Sequence, residues 1–235
     1  MHARLHFSLA VIALCVAAAI GCLKSMDRGL DEQSIEGDIT PRIPAGWSLF
    51  GPIDGQEAFD FYGGYDAAVK RSGAYSVSFL AIEVTKDDQA RLTQRFVADR
   101  YRGKRVRFSG YMKTNMVSGW AGLWMRVDTV TKVGWAFDDM EDQEVSDTTD
   151  WTQYQVVLDV PEDAATIYLG AHLYGRGQVW LDDCAFEVVG DDVPATDGSR
   201  LRGGRDRTFS IPPFLEDEPL NLDFEATEYI EYGAR

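Results

Sequence analysis

The chain has 235 residues, 45% of them apolar and 12% aromatic, with 22 glycines; this composition builds one sizeable globular domain with tails and excludes a disordered, collagenous or polytopic membrane chain. A net charge of −15, from 38 acidic against 23 basic residues, argues against nucleic acid as the partner, because affinity for phosphate backbones comes from Lys and Arg. Neutral ligands or cations suit the balance better.

A short basic start, Met1 to Phe7, leads into an apolar run from Ser8 to Ile20, too short to span a bilayer as a helix. Followed by small residues, it reads as a secretory signal over residues 1–21. The stretch Ala19-Ile20-Gly21-Cys22 resembles a bacterial lipobox with Ala in place of the usual Leu, so Cys22 is expected to carry the lipid and to become the first mature residue. An ordinary cleaved signal is the plainer alternative. Lipidation would place the protein on a bacterial cell envelope, touching the membrane through its anchor only. Leu23, not Asp, follows the cysteine, which favours the outer membrane in a Gram-negative host.

Of three cysteines and three histidines, only Cys184 and His172 fall outside this N-terminal segment. An intrachain disulfide, a His-rich zinc site and a CxxC pair are thereby excluded from the mature domain, and any Ser-His-Asp arrangement would have to use His172. Residues 22–44 are polar and aperiodic, as in a lipidated tether. From 45 to 190 the sequence is a succession of β signals, with alternating apolar residues and turns at Gly, Asp and Asn. Lys86–Leu92 is compatible with one helical turn, and no segment sustains a helical period. Residues 191–219 return to linker composition, and 220–235 are expected to close the domain as a C-terminal strand packed on it. Nine or ten short strands without helices predict an all-β, antiparallel sandwich of jelly-roll type. An α/β enzyme fold and a helix-turn-helix reader are excluded.

The period of two sorts the strands into faces. Val106, Phe108, Gly110 and Met112 should point inward, with Arg107 and Tyr111 opposite; Ala121, Leu123, Met125 and Val127 should point inward, with Trp120, Trp124 and Arg126 opposite; Ile167, Leu169, Ala171 and Leu173 should point inward, with Tyr168, His172 and Tyr174 opposite. Tyr154, Val156 and Leu158 likewise read inward, against Gln153 and Gln155. If the strands neighbour one another, the outward sets form an aromatic and polar strip suited to sugars, whose C–H faces stack on rings while Arg, His and Gln bond to hydroxyls. The candidate ligand residues are Tyr111, Trp124, Arg126, His172 and Tyr174, with Arg107 as polar partner. The alternative is that loop 138–150 or the C-terminal tail covers the aromatics.

The blocks YRGKRVRFSGYMKT, GWAGLWMRVD and DTTDWTQYQVVLDVPEDAATIYLGAHLYGRGQVWLDDCAFEVVG resemble a jelly-roll domain, similar to carbohydrate-binding modules and the galactose-binding-like fold, that is attached to some bacterial transcription regulators and envelope proteins. The resemblance implies an accessory, non-catalytic role. The phrase NLDFEA, Asn221–Ala226, resembles the first strand of many such modules, where its Glu and a late Asp pair help hold a structural calcium ion; carried over, these are Glu225, Asp183 and Asp182. No GxSxG, Walker, HExxH or GxGxxG motif occurs. Adjacent acids carry no glycosidase signal in so acidic a chain. The sequence therefore describes a non-catalytic envelope lipoprotein binding carbohydrate or a similar polar ligand, or alternatively a structural envelope protein docking a protein partner on the same face.

Overall fold

Apolar side chains at every second position from Ile167 to Leu173 need a strand with one side in a core. The computed structural model, which describes residues 34–50, 61–82, 88–196, 204–206 and 215–227, contains that strand with all four side chains fully buried. In chain order the described strands are β1 (Ile39–Thr40), β2 (Trp47–Phe50), β3 (Phe61–Asp66), β4 (Ser76–Ala81), β5 (Gln89–Val97), β6 (Arg105–Thr129), β7 (Lys132–Val133), β8 (Ala136–Asp138), β9 (Val145–Asp159), β10 (Ala164–Tyr174), β11 (Gly177–Val189) and β12 (Arg205–Asp206). Every pairing among them is antiparallel.

The 25-residue β6 organises the molecule. Its first half pairs with β11 and β9, and the sheet continues through β4 and β3 to β1; its second half pairs with β10 and β8, and the sheet continues through β5 to β2. Between the halves the ladder to β9 slips three times, and Met116 takes a positive φ of 52°, so the strand turns a corner by bulging. The bulges also change which parity faces inward: Val106, Phe108 and Met112 are buried before the corner, Leu123, Met125 and Val127 after it. Phe96 of β5 meets Phe186 of β11 at 5.2 Å, which closes both sheets over one hydrophobic cluster. The result is the expected antiparallel jelly-roll sandwich.

Four expectations need correction. The described part of the tether, residues 34–44, is built into the first sheet: β1 pairs with β3, and Glu36 exchanges bonds with the buried amide of Gln178, donating at 3.0 Å and accepting at 2.8 Å. Residues 89–92 begin β5 and form no helical turn, because Ala90, Leu92 and Phe96 share one parity and Gln89, Arg91, Thr93 and Arg95 the other. The described part of the C-terminal segment is no strand. Asn221 and Phe224 sit at positive φ, 50° and 59°, which breaks an extended run, although Leu222 still accepts from the Cys184 N–H at 3.0 Å. The described parts of 191–219 are docked as well: Thr196 bonds Val157 through backbone and hydroxyl, and β12 pairs with β7. The signal segment 1–21 and Cys22 lie outside the described residues.

The C-terminal segment nevertheless completes the core. Phe224 is fully buried, 5.3 Å from the ring of Trp47, and the Trp47 indole donates to the Asn221 carbonyl at 3.2 Å. The Gln94 amide holds the Leu220 N–H and carbonyl.

Candidate functional site

The register of the second sheet determines which side chains share its outer face. Across β5, β10 and β6 the rows run Gln89, Tyr174, Trp120; then Arg91, His172, Gly122; then Thr93, Gly170, Trp124; then Arg95, Tyr168, Arg126. On β2, Phe50 stands beside Arg91 and Ser48 beside Thr93. Loop 139–140 comes down over the second row, where a side chain on Gly122 would meet the Asp139 carbonyl at 3.0 Å and the His172 ring at 3.2 Å.

Aromatic rings dominate the upper rows. Trp120 and Tyr174 stack with centroids 4.7 Å apart and planes at 17°, and His172 lies edge-on to both, at 4.5 and 5.2 Å. Trp124 is only 1% exposed. Gly170, opposite it, has no side chain, so the indole reaches past to β5, where Nε1 donates to the Leu92 carbonyl at 3.4 Å and Arg91 covers the ring at 4.7 Å. Arg126 lies over the Tyr168 ring at 4.2 Å and pairs with Asp128 at 2.9 Å.

Several polar atoms on this face are buried without a protein partner. Both ring nitrogens of His172, the Gln89 amide nitrogen, the Arg91 Nε and the Thr93 hydroxyl make no hydrogen bond to any described group. Such atoms are costly, about 1–3 kcal/mol each, and their concentration on one face distinguishes it from the rest of the fold. Burial, aided by the Arg91 charge, pushes the His172 imidazole down to about 3. At neutral pH it is therefore uncharged, presenting one N–H and one lone pair. Burial also lowers the Arg91 guanidinium and raises the Tyr174 hydroxyl and the Asp139 carboxyl. A cavity of about 490 Å³ adjoins the lower rows, between β2, β5 and segment 215–220, with Phe50, Thr93, Arg95, Tyr168 and Glu216 in its walls.

The residues expected from sequence divide between two faces. Trp124, Arg126, His172 and Tyr174 share the outer face of the second sheet, but Trp124 and His172 are buried within it, as the covering-loop alternative foresaw for His172. Tyr111 and Arg107 belong to the first half of β6 and look out from the opposite sheet, where Arg71 lies 3.5 Å over the Tyr111 ring and Arg107 pairs with Glu187 at 2.6 Å. They are corrected out of the site, because the corner at Met116 separates the halves of the strand. Gln89, Arg91, Thr93 and Arg95 were missed, although the alternation of β5 could have placed them.

Asp182, Asp183 and Glu225 do converge, on the loop before β4, but as acceptors. Asp182 takes the N–H groups of Arg71, Ser72 and Asp183; Asp183 takes the Ser72 hydroxyl and pairs with Arg71; Glu225 takes the N–H groups of Ala74 and Tyr75. Calcium requires carboxylate oxygens turned toward a common point. Here they are turned to donors, and no three acidic, His or Cys side chains gather as a metal cluster among the described residues. The donor set does not fit the ion.

No family model matches the chain. Over 182 residues, 77% of this chain, it is 40% identical to the uncharacterized HTH-type transcriptional regulator YbfP of Bacillus subtilis (strain 168); the match takes in 56% of that relative, so the chain spans little more than half its length. Similar solved structures include the CBM22-1 xylan-binding domain of Paenibacillus barcinonensis Xyn10C, at 18% identity and TM-score 0.43 over 65% of this chain and 96% of that one. Another is TmCBM61 in complex with β-1,4-galactotriose, at 14% identity and TM-score 0.41 over 69% of this chain and all of that one. A bacterial transcriptional regulator, one of the kinds of protein that the sequence resemblance named, is thus among the matches. What the two modules bind is a property of those modules.

Proposed function

We propose that this domain binds a carbohydrate, or a similar polar ligand, on the outer face of the β2-β5-β10-β6 sheet and performs no chemistry on it. The observation that carries the reading is the stacked Trp120–Tyr174 pair beside buried, unpartnered donors and acceptors of His172, Gln89, Arg91 and Thr93. A sugar supplies C–H faces for the half-buried rings and hydroxyls for the polar side chains nearest the surface, Gln89, Arg91 and Thr93. Arg126 and Tyr168, joined by their cation–π contact, extend the platform toward the cavity. A neutral His172 supports hydrogen bonding over proton transfer, since a group pushed down to about 3 is a weak base at neutral pH. In the same reading the N-terminal segment exports the chain and Cys22 tethers it by lipid to a bacterial envelope, the outer one in a Gram-negative host.

The test is intrinsic tryptophan fluorescence of the domain titrated with a panel of cell-wall and plant polysaccharides. A saturable shift is expected, lost in Trp120→Ala while the melting temperature holds. A flat response over the whole panel would discard the glycan and turn the search to an envelope protein docking on the same face.

A further inference from the structure

The charges on this face differ from those of the chain as a whole. In a protein of net charge −15, Arg91 and Arg95 stand four residues apart on β5 with side chains on the same side, and Arg95 and Arg126 flank Tyr168 from the strands to either side of it. Asp128 answers Arg126. Neither Arg91 nor Arg95 forms an ion pair with any described residue. Arg91 holds Gln89 Oε1 at 2.9 Å and stacks on Trp124, which leaves its Nε buried and unpartnered. Between the two arginines is Thr93, 8% exposed, its hydroxyl also unpartnered and in the wall of the 490 Å³ cavity. The carboxylates at the margins, Asp139 above and Glu216 below, pair with neither arginine.

Gathering guanidinium groups on one face costs repulsion and desolvation, which an anion on the ligand would offset. We propose that the ligand is an anionic glycan, one of its carboxylate or sulfate groups being received by Arg91 and Arg95 with the Thr93 hydroxyl between them, while its rings lie along Tyr168 and the Trp120–Tyr174 stack. The inference rests on the carbohydrate reading above. Two oxygens of a carboxylate or a sulfate group match the fork of donors on a guanidinium. An acidic protein repels polyanions over most of its surface, so attraction to one identifies a local site.

Matched polymers that differ only in charge provide the test. Polygalacturonate and its methyl ester serve for the carboxylate, dextran sulfate and dextran for the sulfate, each titrated by tryptophan fluorescence at low and at high salt. At least one charged member should bind about tenfold or more tightly than its neutral twin, and the preference should shrink as salt shortens the Debye length. Arg95→Gln, on the exposed side of the strip, should remove most of that preference with an unchanged melting temperature. Arg91→Gln should do the same, its melting curve reporting any loss of packing on Trp124. Equal affinity for charged and neutral twins, or binding confined to neutral glycans, would overturn the inference and leave the carbohydrate reading standing. Binding of no glycan, charged or neutral, would overturn both.

Discussion

The two outer faces of the sandwich are built from similar residues and treat them in opposite ways. On the first sheet, Trp180 is fully buried and its indole donates to Asp66 at 2.8 Å; Asp66 in turn accepts from the N–H groups of Asp38, Ala68 and Val69. Gln178 is held by Glu36 and Ser78, Asp182 by the loop before β4. The chain's own segments 34–40 and 67–76 thus cover that face and satisfy it. On the second sheet an equally aromatic face keeps unpartnered polar atoms at His172, Gln89, Arg91 and Thr93. Aromatic content alone does not distinguish a structural face from a binding face; the state of the hydrogen bonds does.

The largest test of this contrast is Trp180→Ala, expected to cost about 3–5 kcal/mol in urea unfolding, since it removes a buried ring and the donor to Asp66 Oδ2. A cost under about 1 kcal/mol would mean that the first face is not structural. Next comes acid. His172 has a folded pKa of about 3, below its ordinary value of 6.5, so between those values the unfolded chain binds the extra proton and stability falls as pH falls. The slope contributed by this one residue is at most about 1.4 kcal/mol per pH unit, and it should vanish in His172→Leu. At pH 7 the same substitution should be neutral or stabilising by about 1 kcal/mol, because it removes two unsatisfied buried atoms; a marked loss of stability would mean that His172 is satisfied and that the faces do not differ as described. Smallest of all, excess calcium or a chelator should leave the melting temperature unmoved. A rise with calcium would return Asp182, Asp183 and Glu225 to the metal.

Alternation in the sequence identified the inward side chains of β6 and β10 correctly, because a strand with one buried face leaves little freedom in its pattern. Pairing partners are a different matter. Tyr111 and Trp124 lie on one continuous strand and read equally outward, yet face away from each other across the sandwich. The clue was the switch from even to odd inward positions between Met112 and Ala121, which only a bulge produces. The β5 residues were hidden by a short polar approach that suits a helical turn as well as a strand. Burial of Trp124 and His172 depends on contacts from β5 and from loop 139–140, distant in sequence, which no local pattern encodes.

Trp47 donates to a carbonyl 174 residues further along the chain, and the ring it packs on, Phe224, follows almost at once. During synthesis the cleft beside β2 therefore stays open until nearly the whole domain has left the ribosome, and no N-terminal fragment can shut it. Contacts of such separation form slowly.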